Sequence, residues 1–213
     1  MTHTAELVWI TPDAEKLVGK IARVSNPENE DNPDYEKLLK YLIKHKHWSP
    51  FEMASMCVEI ETTRAISPQI LRHRSFSFQE FSQRYAVAEA ELSLPTLRRQ
   101  DTSNRQNSID DIDPELQSEL NLAIAKQMHS ARDCYRMLLQ VGVAKECARA
   151  VLPLNTKTRL YMSGTIRSWL HYCDLRAWHG TQWEHTQIAL QIMNILRDSV
   201  PTIFAAMWPT KND

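Results

Sequence analysis

The feature that most restricts this chain is its shortage of glycine. There are four in 213 residues, at positions Gly19, Gly142, Gly164 and Gly180. Close approach of backbone to phosphate and left-handed turns both favour glycine. No G-x-G-x-x-G turn and no Walker A loop occurs in the sequence. A Rossmann dinucleotide site and a P-loop are therefore excluded. Any nucleotide must be held by side chains and by the N–H groups of ordinary residues.

Size and charge narrow the class further. A chain of this length, read as one domain over 1–213, can bury a substantial core. Its 43% hydrophobic and 24% charged residues match soluble globular proteins. Lys and Arg number 25 against 26 Asp and Glu, a net charge of -1. A protein that neutralises nucleic-acid phosphates is normally far more basic, so no nucleic-acid partner is expected. No apolar run approaches the ~18 residues that span a bilayer, so no membrane partner is expected. The first residues, Met1 to Leu7, lack the charged and apolar regions of a leader. Cys57, Cys134, Cys147 and Cys173 form no C-x-x-C pair, which speaks against a disulfide framework or structural zinc. A reducing, cytoplasmic setting is expected.

Hydropathy periodicity predicts strands over 7–10, 55–62, 84–90 and 158–164, with Met56, Val58 and Ile60 on one face of the second. It predicts helices over 13–24, 35–45, 63–73, 114–139, 144–151, 165–175 and 182–200. Thr11 is the expected cap of the first helix and Asp113 that of the long one. Residues 91–113 are polar and read as a surface loop or a partner-contacting arm. Within it, Arg98, Arg99 and Arg105 read as solvated charge, with a subunit contact or the approach of a co-substrate as the other roles. Met128, Met137, Trp169 and Trp183 sit at helical apolar positions and read as core. The expected fold is α+β, with helices packed around a small mixed or antiparallel sheet.

Polar chemistry concentrates between Gln69 and Tyr85, where three arginines, a histidine, three serines, three glutamines and a glutamate are interleaved with aromatics. Arginine presents a rigid fork of donors suited to phosphate. Ser82 adds a short donor, and Glu80 can accept from a sugar hydroxyl. Ser82 has no base at obvious spacing, which makes it a ligand rather than a nucleophile. Elsewhere, His45 and His47 are two residues apart and would not share a helix face. His179 and His185 lack a nearby third ligand, so no metal is expected.

Arg72-His73-Arg74, seven residues and then Ser82 resemble the R-H-R-x7-S signature of flavin-dependent thymidylate synthases. Other landmarks follow in family order across about residues 20 to 190. They are Ala22-Arg-Val-Ser25, His47-Trp-Ser-Pro-Phe-Glu52, Glu146-Cys-Ala-Arg-Ala-Val-Leu-Pro153, Arg167-Ser-Trp-Leu-His171, Leu175-Arg176 and Gln182-Trp-Glu184. The resemblance implies a homotetramer of the thymidylate synthase-complementing type with active sites shared between subunits. It implies reductive methylation of dUMP to dTMP, with 5,10-methylenetetrahydrofolate as carbon donor, FAD as hydride source and NADPH as reductant. Carried over by position, it implies FAD contacts at Ser25, His47, Ser49, Arg72, His73, Arg74, Gln79, Thr165, Arg167 and His171. It implies dUMP contacts at Gln69, Arg72, Glu80, Phe81, Ser82, Gln83, Arg84, Arg149 and Arg176. Arg149 would come from a neighbouring subunit, and Arg176 would stabilise charge on the uracil ring.

Three other readings compete. A relative on the same fold could transfer a hydroxymethyl group to a pyrimidine nucleotide. The arginine and aromatic segment could be a single-strand nucleic-acid platform. A helical oligomeric interaction protein would need no catalysis.

Overall fold

The computed structural model describes residues 3–88, 93–178 and 180–209. In chain order the elements begin with β1 (Thr4–Ile10), α1 (Ala14–Ile21), α2 (Glu36–Lys44), β2 (Ser55–Thr63), α3 (Ser67–Ile70) and β3 (Ser77–Glu80). A polar stretch carrying β4 (Arg99–Gln100) and β5 (Ser108–Ile109) leads into the long α4 (Pro114–Gln140) and the short α5 (Lys145–Ala148). Then come β6 (Lys157–Thr165), α6 (Ile166–Arg176), α7 (Trp183–Ser199) and α8 (Pro201–Met207).

Four strands form one sheet in the order β1-β2-β6-β3, and every pairing is antiparallel. Met56, Val58 and Ile60 stand opposite Gly164, Met162 and Leu160, which gives β2 and β6 a common apolar face. That face is fully buried beneath the helices. The α6 helix is fastened there because the buried Trp169 indole donates from Nε1 to the Met56 carbonyl at 3.0 Å. The α7 helix is tied to β1 through Gln191, which accepts from Ala5 N and donates to His3 O. Ile188, Ala189, Ile192 and Leu196 line its buried face at helical spacing.

Several expectations are corrected. Thr11 does not cap α1: its hydroxyl exchanges hydrogen bonds with the backbone of Ser55, and Asp13 begins the helix at φ 49. The helix expected over 63–73 is a single turn, because Thr63 completes β2 and the chain turns again after Ile70. Residues 84–88 form turns and coil rather than a strand, and 89–90 lie outside the described residues. Within the arm, the described residues hold a small β4–β5 hairpin closed by Asp101, whose carboxylate gathers Ser103, Asn104 and Asn107. Arg98 is not solvated: it makes a buried ion pair with Glu184. Met137 and Trp183 are exposed, whereas Met128 and Trp169 are core. Asp113 does cap α4, accepting from Glu115 N and Leu116 N.

Candidate active site

One corner of the fold collects most of the expected residues. Thr165 ends β6 and caps α6, accepting from Ser168 N at 3.3 Å. Ile166 N donates to Ala54 O at 2.8 Å, which joins this corner to the turn at 49–52. Arg167 forms an ion pair with Glu52 of that turn. His171, one helical turn further along α6, stands edge-on to Trp48 with ring centroids 4.7 Å apart. Burial and then the Arg167 charge lower the pKa of His171. Ser49, Thr165, Arg167 and His171 are thus brought together. His47 is exposed and packs its ring near Tyr41 of α2. Ser25 is exposed in the loop after α1, outside this corner's bonded network.

The signature segment reaches the same corner through Phe76. A Cβ at Gly164 would lie 2.5 Å from the Phe76 ring, so only glycine lets this ring lie against β6. Ser168 Oγ also donates to Ser75 O at 3.3 Å. Phe76 meets Trp169 edge-on at 4.7 Å. The His73 ring is seated between Phe76 and Tyr172, 4.9 Å from the latter. Arg176 Nε donates to His73 Nε2 at 3.0 Å. Desolvation, aided by the Arg176 charge, lowers the pKa of His73 to about 4. Arg72 and Arg74 flank it, exposed and with no carboxylate partner among the described residues. Gln69 donates to Gln182 Oε1 at 2.7 Å, which ties α3 to the start of α7.

The far end of the segment is different. Glu80 is committed within the protein: it pairs with Arg64 at 2.8 Å and accepts from Thr158 at 2.9 Å. Arg64 also donates to Phe81 O. Gln79 is exposed on β3. Gln83 is buried, and its Nε2 has no partner among the described residues. Arg84 N donates to the Ser82 hydroxyl at 3.3 Å, and the Arg84 side chain pairs with Glu146 at 2.8 Å. Arg149 lies one turn beyond Glu146 and donates weakly to its carbonyl. Ser82, Arg84 and Arg149 therefore share a second, open surface. His179 lies outside the described residues.

Sequence reasoning missed Arg64, Tyr172 and the special place of His185. Tyr172 is four residues before Arg176 on a helix, a spacing that puts both on one face. No local signal marks Arg64 or His185, because their partners are remote in sequence.

The residues present suit a bulky anionic cofactor with a flat ring. Uncommitted guanidiniums at Arg72 and Arg74 belong to the segment whose Ser75 carbonyl accepts from Ser168 at the polar start of α6, the helix that carries His171 and its half-open pairing with Trp48. A family model described as thymidylate synthase complementing protein matches residues 6–202. A flavin-dependent thymidylate synthase of Synechocystis is 52% identical over 193 residues, covering 91% of this chain and 89% of its own. A probable flavin-dependent thymidylate synthase of Paramecium bursaria Chlorella virus 1 is 48% identical, covering 91% and 90%. Among solved structures, the UMP/dUMP methylase PolB of Streptomyces cacaoi, bound with 5-Br dUMP, superposes with a TM-score of 0.86. It is 27% identical and covers 96% of this chain and 94% of its own.

Proposed function

The chain belongs to the thymidylate synthase complementing protein family, and from that premise we propose that it is a flavin-dependent thymidylate synthase that methylates dUMP to dTMP. The observation that carries this reading is the contact between His73 of the signature and Arg176 of α6. It joins the two segments to which the resemblance assigns flavin and uracil.

Arg72, Arg74, Ser49, Thr165, Arg167 and His171 hold FAD, with Ser25, His47 and Gln79 as outer contacts. Bound flavin supplies the reducing equivalent that turns a transferred methylene into a methyl group. Uracil C5 becomes nucleophilic when negative charge develops on the ring. A guanidinium is a fixed cation, so Arg176 serves to stabilise that charge rather than to donate a proton. Gln69, Ser82, Gln83 and Arg84 bind the rest of the nucleotide. Glu80 and Phe81 act there through the Arg64 clamp, which pairs with the Glu80 carboxylate and donates to the Phe81 carbonyl. Cysteine is not called upon: burial pushes the Cys173 thiol pKa up, away from nucleophilic thiolate.

The co-substrates are 5,10-methylenetetrahydrofolate and NADPH, and the setting is cytoplasmic. No helix among the described residues is long and apolar enough to cross a membrane. The working form is a homotetramer in which Arg149 serves a neighbour's nucleotide. Support comes from α4, a 27-residue helix whose Leu116, Leu120, Leu122 and Met137 are all exposed in the single chain. Exposed apolar side chains of this kind are expected to be covered by another copy.

Incubation with dUMP, methylenetetrahydrofolate, FAD and NADPH, with the product identified by mass spectrometry, tests the reading. dTMP is expected. A hydroxymethylated nucleotide would move the chain to the related transferase, and no modified nucleotide would overturn the assignment.

A further inference from the structure

Two fully buried polar side chains lie directly behind this centre without a role in it so far. Tyr172 is 1% exposed and His185 0%. The Tyr172 hydroxyl and His185 Nε2 are 3.0 Å apart, and His185 Nδ1 is buried with no partner among the described residues. A phenylalanine and an aliphatic residue would fill the same places without the cost of desolvating polar groups. The pair therefore calls for a use beyond packing.

Its surroundings indicate one. The His73 ring stands edge-on to Tyr172 at 4.9 Å and to His185 at 6.2 Å. His73 Nε2 also receives the Nε–H of Arg176. An arginine nitrogen only donates. His73 therefore keeps a lone pair on Nε2, carries its proton on Nδ1 and is neutral. In that state it grips the guanidinium through Nε and leaves both terminal amino groups free for a substrate. A protonated His73 would lose the acceptor and set a second cation against Arg176.

We infer that Tyr172 and His185 are positioning residues: their hydrogen bond fixes and seals the floor under His73, so that His73 remains the neutral acceptor that orients Arg176. This rests on the reading of Arg176 as the residue that faces the uracil ring. Among the described residues, the titratable or charged groups facing His73 are Arg176 and Tyr172 from α6 and His185 from α7, and none of these is acidic. Protonation of His73 thus has no compensating partner, in keeping with its lowered pKa. Loss of the Tyr172 hydroxyl would leave a buried imidazole with both nitrogens unpaired, a site that draws water inward.

The test is a side-chain nitrogen NMR titration of the full-length protein with labelled histidine, alongside steady-state kinetics from about pH 5 to about pH 8. The unaltered protein is expected to show neutral His73, protonated on Nδ1, throughout that range. Tyr172→Phe is expected to raise the His73 titration by about one pH unit or more. Its kcat is expected to fall several-fold more at low than at high pH, with KM for dUMP changed less. His185→Leu is expected to shift both readouts in the same direction, and it serves if Tyr172→Phe does not fold. His73 protonated on Nε2 in the unaltered protein would overturn the inference. So would variants whose activity falls equally at every pH with His73 unmoved, the mark of a purely structural pair. Failure of the functional reading shows itself separately, as an unaltered protein that forms no dTMP. The His73 titration then still decides whether the pair governs that ring.

Discussion

His73 and Arg84 belong to one short segment, yet their surroundings have little in common. His73 is packed among Phe76, Tyr172 and His185 and is bonded to Arg176. Arg84 pairs with Glu146 across open surface, with side chains 60% and 50% exposed. The same attraction between unit charges is several times stronger at low effective dielectric than in water. The His73 end is thus suited to stabilise charge that develops during a reaction. The Arg84 end is suited to catch a nucleotide and, in the proposed tetramer, to be completed by Arg149 of another copy. One segment supplies two kinds of chemistry because β3 lies between them and holds the ends apart.

Substitution at the dry end sharpens the contrast most. Arg176→Ala is expected to lower kcat/KM by about 100- to 1000-fold, the usual cost of a preorganised group that stabilises transition-state charge. Steady-state kinetics on folded protein checks this. If Arg84→Ala were equally damaging to kcat, the distinction between the ends would collapse.

Next in size is the buried pair that holds the first turn of α7, from which His185 projects. Arg98 places Nη2 on both oxygens of Glu184 at 2.8 and 2.9 Å, and both side chains are 12% exposed. Arg98→Ala strands a buried carboxylate and is expected to cost about 3 kcal/mol in urea unfolding. A loss under about 1 kcal/mol would show that the arm is not fastened there.

Acid comes third. Burial first, then the charge of Arg176, lowers the pKa of His185 to about 3. The unfolded chain then binds the proton more readily than the folded one. Stability from this group is full above the unfolded value near about 6.5 and drains as pH falls toward the folded value. Between about pH 7 and about pH 5 the loss from His185 is about 2 kcal/mol. Parallel urea curves check it, and His185→Leu is expected to flatten the slope. The smallest effect belongs to the wet end: Arg84→Ala is expected to change stability by less than about 0.5 kcal/mol, because the pair is exposed.

What the sequence disclosed follows the same division by distance. The β6–α6 corner was legible because alternation along β6 gives way to a threonine cap and helical spacing, and both signals are local. The capped start of α4 was legible for the same reason. β3 was hidden inside the chemical signature, since four residues of strand paired only to β6 carry little periodicity. The β4–β5 hairpin was hidden because Asp101 and its hydrogen bonds, not apolar residues, organise it. Arg98 read as solvated because Glu184, its partner, stands 86 residues away. The site divides likewise. Arg72, His73 and Arg74 were recognisable in sequence, whereas the Tyr172–His185 floor exists only once α6 and α7 are packed together.

The most direct test of the central claim, that flavin and dUMP meet at the His73 end, is the visible spectrum of the FAD-loaded protein titrated with dUMP without oxygen. The unaltered protein is expected to retain FAD and to change its flavin spectrum on adding dUMP. Arg176→Ala is expected to retain FAD with that response lost or much weakened. A protein that neither holds nor takes up FAD, or an Arg176→Ala response equal to that of the unaltered protein, would contradict it.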